Sequence, residues 1–248
     1  MAEVPFLLIG ASTLAEFAAS ILRAAGVPER VSQLVSESLV GANLRGVDSH
    51  GVQLLPFYVE QIEAGDMDPL ASGRVVSESG ACLHYDGENG MGHAVAEICC
   101  GHGIRIARAS GLSMVVARES NHFGAAAFWA QQYSAAGLIG IVMCNASPMA
   151  PPWQGREPRV GTNPICVSAP GGEEPPWLLD MATTTVAAGK IYKAMINGRE
   201  TIPPGWAMDA EGVPTTSVDV ALKGLLSPLG GYKGSGLAMM AEILCAVL

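Results

Sequence analysis

Charged residues are scarce in this sequence, and basic ones especially so. Only 15% of its 248 residues are charged, while 49% are hydrophobic, a balance that lets the chain bury a large core and argues against intrinsic disorder. Fourteen Lys and Arg against 23 Asp and Glu give a formal net charge of −9. Because such a chain repels a phosphate backbone, we expect no nucleic-acid partner.

Long hydrophobic runs and a basic leader are also missing. The apolar run that starts at Leu138 is broken at Asn145, well short of the roughly 20 residues that a spanning helix needs. Glu3 stands where a secretory signal would carry Lys or Arg, which argues against export. We therefore expect a cytoplasmic protein without a membrane span.

The six cysteines include no CxxC pair, and the Gly and Pro residues are spread along the whole chain. Thiols in apolar stretches are usually small core residues, so we expect neither disulfides nor a zinc ribbon. No repeat of solenoid period and no low-complexity segment is present. Composition marks no linker, and domain boundaries have to come from the pattern of elements.

Helical periodicity dominates the first 65 residues. Thr13 and Glu16 form a possible capping pair for a first helix that ends at Gly26. A second helix has Pro28 at its first position and runs to Gly46, and a shorter third helix follows.

Strands and helices alternate in the middle of the chain. We predict strands over 73–79 and 81–87, a helix over 92–110, a buried strand over 112–120, a helix over 123–137 and an apolar strand over 137–146. Strands over 163–170 and 175–182, a helix over 183–198, a turn-rich connector over 202–216 and a last helix from 233 follow. The order predicts an α/β fold (α+β mixed) with a helical N-terminal part.

The last helix is apolar up to Leu248 and carries no Gly, Asn or basic residue that would end it. We therefore expect the physical unit to continue beyond this sequence. Three parts are predicted: a helical part over 1–72, an α/β core over 73–232 and the truncated start of a C-terminal helical part over 233–248.

Two glycine-rich segments fail the phosphate-binding patterns that they superficially match. GENGMGHAV follows a strand and opens a helix, but Val95 occupies the third glycine position of the dinucleotide fingerprint. In GGYKGSG the lysine lies between the glycines and no Ser or Thr follows it directly, unlike a Walker A loop. A Rossmann site and phosphoryl transfer are not indicated.

The five histidines fall into two groups, and none has a metal-binding spacing. His84 lies in a strand, and His93 and His102 lie nine residues apart on one helix; we interpret these three as hydrogen-bonded or exposed structural residues. His50 and His122 lie in loops between rigid elements, where polar groups converge on ligands. For their neighbours Ser49 and Asn121, an ordinary helix-capping role stays open.

The motifs around these two histidines resemble, in order, those of the malate/L-lactate dehydrogenase type 2 family. They are DSHGV followed by Pro and Tyr, SNHFG, GTNPICVSAP, DMATTTVAAGKI, IPPGWAMDAEGVPTT and GGYKGSGLAMM. The resemblance runs from the first helix to the last residue. It implies a non-Rossmann NAD(P)-binding fold and a homodimer that transfers a hydride between NAD or NADP and a small 2-oxo or 2-hydroxy acid, such as malate or lactate.

The resemblance also assigns residues to roles. His122 matches the proton-transferring histidine, and Ser49, His50 and Tyr58 match the substrate-side motif. The matching cofactor-contacting positions are Ala146, Ser147, Thr162, Asn163, Asp180, Met181, Ala182 and Lys233. No metal ligand is implied.

These residue types suit the chemistry. Reducing a 2-oxo acid leaves negative charge on the carbonyl oxygen, and histidine has a pKa near neutrality from which to supply a proton. His50 and Tyr58, eight residues apart, can face one cleft and orient the acid. Lys233 combines a positive charge with free N–H groups at a helix start, which suits an anionic cofactor, although a solvated lysine in a helix-entry turn is the alternative.

One position departs from the family pattern and leaves the substrate open. Many members carry Arg four residues after the histidine of SHG, where it can clamp a carboxylate; this chain has Leu54 there, with Arg45 nearby in sequence. Three alternatives to a malate or lactate dehydrogenase stay open: a cyclic imine (piperideine or pyrroline-2-carboxylate) reductase, a truncated non-catalytic remnant, and a zinc hydrolase built on His50 and His122.

Overall fold

The computed structural model describes residues 8–247, which divide into two compact units. The first extends to Phe128 and the second begins at Trp129. Both mix helices and strands, which agrees with the expected fold class. Among the described residues, no helix is long and apolar enough to cross a membrane.

Three helices open the first unit, as the periodicity predicts. They are α1 (Ala11–Ala24), α2 (Glu29–Leu44) and α3 (Leu55–Ala64), with two 3-10 turns, Asp48–His50 and Val52–Leu54, before α3. Their apolar faces share a core that includes Leu22, Leu39 and Tyr58, and burying each such side chain contributes about 1.5–3 kcal/mol.

The predicted capping pair of the first helix is wrong. The helix begins two residues before Thr13, its N-cap is Gly10, and no side chain caps it. The carbonyl of Gly10 already accepts from the N–H of Leu14, which places Thr13 inside the first turn. Glu16 instead pairs with Arg23, about two turns further along.

A three-stranded sheet with one covering helix completes the first unit. Its elements are β1 (Arg74–Ser79), β2 (Cys82–Gly90), α4 (Gly92–Ser110) and β3 (Met114–Ser120). β1 and β2 pair antiparallel, whereas β2 and β3 are parallel with α4 as the crossover between them. β3 lies at the edge of the sheet and is half-buried to exposed, so the prediction of a buried strand is wrong.

The second unit begins within helix α5 (Ala126–Ala135) and contains two further sheets. β4 (Gly140–Met143), β5 (Ile165–Ala169) and β6 (Trp177–Met181) form one antiparallel sheet in that order. The alternation of helices and strands suggested that β4 would extend the parallel layer of the first unit. Instead, β4 pairs with β5 in an antiparallel sheet.

The last part of the chain packs on a core of its own. It comprises α6 (Ala188–Ile196), β7 (Ala207–Met208), β8 (Pro214–Thr215), α7 (Val218–Ala221), β9 (Leu225–Leu226), α8 (Tyr232–Glu242) and a π-helical turn, Ile243–Val247. The segment predicted as a connector thus supplies β7 and β8, which with β9 form a small sheet. Ile191, Ala207 and Val218 are buried in the core of this region.

Candidate functional site

The predicted proton-transferring histidine and the three residues predicted on the substrate side come together in the first unit. The ring of His50 stacks on the ring of His122, with centroids 5.7 Å apart and an angle of 21° between the planes. The hydroxyl of Tyr58 lies 2.7 Å from Nδ1 of His122, and the hydroxyl of Ser49 lies 3.0 Å from Nδ1 of His50. We call these four residues the histidine cluster.

Asn43, on α2, fixes the turn that carries Ser49 and His50. Its Nδ2 donates to Oδ1 of Asp48 at 2.9 Å, and its Oδ1 accepts from the backbone N–H of Val52 at 2.9 Å. The two bonds bracket the turn on both sides of the histidine. Sequence reasoning missed Asn43, whose only signal is its position near the end of a helix just before the SHG motif.

The loop that carries His122 is clamped to the end of β2. Nδ2 of Asn121 donates to the carbonyl oxygens of Asn89 and Gly90, both at 3.0 Å, so Asn121 ties two strand ends together and is not a helix cap. Gly92 lies against the same loop: a Cβ there would lie 2.5 Å from the carbonyl oxygen of His122 and closer still to that of Asn121. These contacts fix the main chain at His122.

Backbone strain is concentrated in the two segments that hold this loop. Glu88 and Asn89, at the end of β2, have φ of 51° and 60°, and Glu119, near the end of β3, has φ of 49°. The left-handed region costs a non-glycine residue on the order of 1–3 kcal/mol, and such strain persists only where surrounding contacts enforce it. The loop geometry is therefore held by its neighbours and is not intrinsically preferred.

The hydrogen bonds at Nδ1 define the tautomer of His122. The backbone N–H of Gly124 donates to Nδ1 at 3.3 Å, and a peptide N–H can only donate. Burial raises the pKa of Tyr58 above its usual value, so its hydroxyl keeps its proton and also donates to Nδ1. Nδ1 is therefore an acceptor, and the neutral ring carries its proton on Nε2.

Aromatic neighbours withdraw much of the His122 ring from water. Besides His50 and Tyr58, Phe57 contacts it edge-on at a centroid distance of 6.3 Å, while part of the side chain stays exposed. This desolvation, together with the like charge of His50, lowers the pKa of His122 from 6.5 to about 4. In the free protein at neutral pH the ring is neutral.

His93 lies directly behind the histidine cluster, a position that its spacing along the chain does not indicate. It is the second residue of α4 and is fully buried. The rings of His93 and Tyr58 meet edge to face, with centroids 5.4 Å apart at 88°. The placement depends on α4 packing against α2 and α3, which a helical spacing of histidines does not reveal.

The positions predicted to contact the cofactor all lie in the second unit, and Asn163 joins several of them. This residue is fully buried. Its Oδ1 accepts from the backbone N–H of Ala146 at 2.9 Å, and its Nδ2 donates to the carbonyl of Ala238 and to Glu242, on α8, at 2.9 and 2.8 Å. One amide thus joins the 144–149 loop to the last helix.

A second set of hydrogen bonds joins the remaining predicted segments. The carbonyl oxygen of Thr162 accepts from both the N–H and the hydroxyl of Thr183 at 2.9 Å. The carbonyl of Thr183 then accepts from Leu229, and that of Leu229 accepts from Gly234, at 2.9 and 2.7 Å. The 162–163 segment, the end of β6 and the turn around Lys233 therefore form one connected structure. We call the eight predicted positions on it the cofactor cradle.

Three polar members of the cofactor cradle lie where a ligand can reach them. Ser147, Asp180 and Lys233 are exposed, and Met181 and Ala182 are half-buried at the end of β6. Lys233 lies in the first turn of α8, where the helix dipole favours an anion. These residues fit a nicotinamide dinucleotide, since a cation and helix N-terminus suit its phosphates and Asp180 can accept from hydroxyl groups.

Comparison with known proteins identifies close relatives. The chain is 40% identical over 243 residues to a malate dehydrogenase of Pyrococcus horikoshii, covering 95% of this chain and 67% of that protein. A hydroxycarboxylate dehydrogenase B of Escherichia coli K12 is 38% identical over 246 residues, covering 96% and 67%. The chain thus spans about two thirds of the length of these curated relatives. Other relatives are named for NAD⁺ or NADP⁺.

A solved structure with the same fold is the Δ1-piperideine-2-carboxylate reductase of Pseudomonas syringae. Its TM-score is 0.92 at 30% identity, covering 98% of this chain and 73% of that one. The family model described as malate/L-lactate dehydrogenase matches residues 9–248. The resemblance of the motifs is confirmed, as is the expectation of a dehydrogenase family whose members use NAD or NADP. The chain belongs to the malate/L-lactate dehydrogenase family.

Proposed function

We propose that this chain binds NADH or NADPH and reduces a small 2-oxo acid to the 2-hydroxy acid, with His122 as the proton donor. The observation that carries the proposal is the geometry at His122. Its Nδ1 is held at 2.7 Å from the hydroxyl of Tyr58, which leaves Nε2 as the nitrogen that meets the reacting oxygen. When bound, the cofactor supplies a hydride to the carbonyl carbon.

His122 acquires the proton it transfers together with the substrate. The free ring is neutral because its pKa is lowered to about 4. The carboxylate of a 2-oxo acid brings a negative charge beside His122, which raises the pKa of the ring. The ring then takes up a second proton from solvent, on Nδ1. The N–H of Gly124 no longer donates to the protonated Nδ1, the hydroxyl oxygen of Tyr58 accepts from Nδ1 instead, and Nε2 passes its proton to the developing alkoxide.

His50 and Ser49 orient the acid in this proposal. The hydroxyl of Ser49 fixes the ring of His50 through its Nδ1, and the stacked arrangement holds His50 parallel to His122. Leu54 packs against the apolar core of the first unit and cannot bind a carboxylate. His50, Ser49 and the loop around them therefore supply the polar contacts to the acid. These contacts determine which 2-oxo acid, such as that of malate or lactate, the site selects.

The cofactor cradle holds the nicotinamide dinucleotide. Lys233 and the N-terminus of α8 would hold its phosphates, and Asp180 would accept from a ribose hydroxyl. Ala146, Ser147 and Thr162 line the approach with backbone and hydroxyl groups, and Asn163, with φ of 33°, keeps these segments in register. Met181 and Ala182 contribute apolar surface for a flat ring.

We also propose a cytoplasmic homodimer with parts over 1–72, 73–232 and 233–248. None of the six cysteines, all of which lie among the described residues, is in a disulfide, which suits a reducing compartment. The dimer and the three parts rest on the family resemblance. Sedimentation equilibrium of the purified chain tests the dimer, since a monomer across the concentration range would contradict it.

A substrate panel tests the proposed reaction. Purified protein is mixed with NADH or NADPH and with pyruvate, oxaloacetate, 2-oxoglutarate or a cyclic imine carboxylate, and cofactor absorbance is followed. Turnover is expected with at least one 2-oxo acid. Turnover with the imine alone would favour the reductase activity named for the Pseudomonas relative, and no turnover with any compound would contradict the proposal.

The pH dependence of the reverse reaction reports the pKa of His122. Oxidation of a 2-hydroxy acid needs a neutral ring whose proton has moved to Nδ1, so that Nε2 can accept the proton of the alcohol, and kcat/KM follows the free protein. Because the pKa is lowered to about 4, kcat/KM should stay near its maximum from neutral pH down and fall only as the pH approaches that value. A fall centred near 6.5, the ordinary value for histidine, would contradict the geometry.

The same profile measured on His50→Asn provides a comparison. The positive charge of His50 contributes to lowering the pKa of His122, second to desolvation. Removing it should raise that pKa, so the acid limb of kcat/KM moves to higher pH. An unmoved limb would mean that His50 exerts no charge effect on His122.

Replacing Lys233 tests the cofactor cradle. Lys233→Gln should raise the KM for NADH or NADPH roughly ten-fold, the size expected for one charge-assisted contact, with kcat little changed. Lys223→Gln, an exposed lysine outside the cradle, is the matched control and should leave KM unchanged. Equal KM values for the two variants would remove Lys233 from the site.

A further inference from the structure

His93 contacts both groups that bond Nδ1 of His122. On one side its ring meets the ring of Tyr58 edge to face at 5.4 Å. On the other side it lies against Gly124, where an added Cβ would lie 2.8 Å from Nε2 of His93 and 3.0 Å from the hydroxyl of Ser38. Tyr58 and Gly124 are the two donors to Nδ1 of His122, at 2.7 and 3.3 Å.

Tyr58 and Gly124 could not keep their positions if the side chain of His93, which packs against both, changed shape. Tyr58 is fully buried, and the direction of its hydroxyl is set by the ring plane that His93 supports. Gly124 has φ of +76° and no room for a side chain, so its N–H points at His122 only while its main chain stays seated on His93 and Ser38.

We propose that His93 is a positioning residue that fixes the orientation and tautomer of His122 by seating Tyr58 and Gly124 at once. The inference rests on the proposed function only in taking His122 as the reacting residue. It adds to the site a buried residue that touches neither substrate nor cofactor.

A buried imidazole suits this role because it is flat, polar at its edge and uncharged. Edge-to-face contact places the positive edge of one ring against the negative face of the other and fixes their relative angle. Burial, together with the charge of His122, lowers the pKa of His93 to about 3, so it stays neutral at working pH. The groups facing His122 from the packed elements are thus His50, Tyr58 and neutral His93.

Two substitutions separate positioning from packing. His93→Leu replaces the ring with an apolar side chain of similar volume, which a buried site tolerates, whereas His93→Phe keeps a flat ring edge against Tyr58. We expect the leucine variant to lose roughly ten-fold in kcat with an unchanged KM for NADH. We expect the phenylalanine variant to recover most of the loss.

Nitrogen NMR of the histidine rings gives a reading that does not require turnover. Wild-type protein should show His122 as a single Nε2–H tautomer, and His93→Leu should show a mixture of both tautomers. His84→Leu, an exposed histidine on β2, serves as the control. A leucine variant with wild-type kcat and an unmixed Nε2–H signal would overturn the proposal. If neither variant folded, a mixture of tautomers in the wild type would overturn it equally.

The NMR measurement also distinguishes a failure of the proposed function from a failure of the positioning role of His93. Absence of turnover with every 2-oxo acid would defeat the proposed function, but the tautomer of His122 would still respond to His93. Conversely, if the enzyme is active but His93→Leu leaves the tautomer signal of His122 unchanged, the proposed function stands and His93 is not a positioning residue.

Discussion

Replacement of His122 by asparagine should lower kcat for 2-oxo acid reduction by about 10²- to 10⁴-fold, the usual contribution of a general acid. Asparagine is similar in size and can still meet the hydroxyl of Tyr58, so the fold and the cofactor affinity should be retained. The amide has no proton to give at neutral pH, which confines the loss to the chemical step. Stopped-flow measurement of NADH oxidation, with cofactor fluorescence for binding, checks both parts.

The control is His84→Asn, which removes an exposed histidine of β2. It should keep wild-type kcat and KM. Loss of less than a few-fold in the His122 variant, or equal losses in both, would show that the imidazole of His122 is not the proton donor.

Replacement of Gly92 by alanine should reduce both stability and activity. The new methyl group would meet the carbonyl oxygens of Asn121 and His122 inside contact distance. Overpacking of this kind costs about 1–3 kcal/mol, and displacing His122 by about 1 Å can cost on the order of 10²-fold in kcat. Thermal unfolding and steady-state kinetics measure the two effects.

Gly101→Ala in the same helix is a matched control that should raise stability where Gly92→Ala lowers it. Gly101 is exposed on α4, and an added Cβ there would have no atom within 4 Å. Alanine in a helix interior should raise stability by about 0.5–1 kcal/mol without affecting kcat. If Gly92→Ala behaved like Gly101→Ala, the close approach of α4 to the His122 loop would not matter for catalysis.

The elements of this fold could be predicted from local signals more fully than their arrangement. Helix α4 was predicted with its observed bounds because apolar spacing starts at Gly92 and a glycine, Gly111 with φ of +82°, follows its end. The separation of β4 from the first sheet could not be predicted, because its pairing with β5 joins residues far apart in sequence.

The motifs indicate the members of the histidine cluster, but they do not indicate the groups that hold them. His50, Tyr58 and His122 carry motif signals, and the structure brings them together. Asn121 and His93 act through contacts with segments distant in sequence, such as the bond from Asn121 to the carbonyl of Asn89, and Asn43 bonds Asp48 and Val52 across the turn that follows its helix. Periodicity predicts which residues share one face of a single helix or strand. It does not predict contacts between elements.

The central claim is that this chain moves a hydride to carbon while His122 supplies an exchangeable proton to oxygen. The most direct test uses NADH deuterated at the transferred position and the best 2-oxo acid from the panel, with mass spectrometry of the product. The proposed reaction yields a 2-hydroxy acid that carries one deuterium at carbon 2, and no deuterium at carbon 2 when unlabelled NADH is used in heavy water. Oxidised cofactor without label in the product, or label from the solvent at carbon 2, would contradict it.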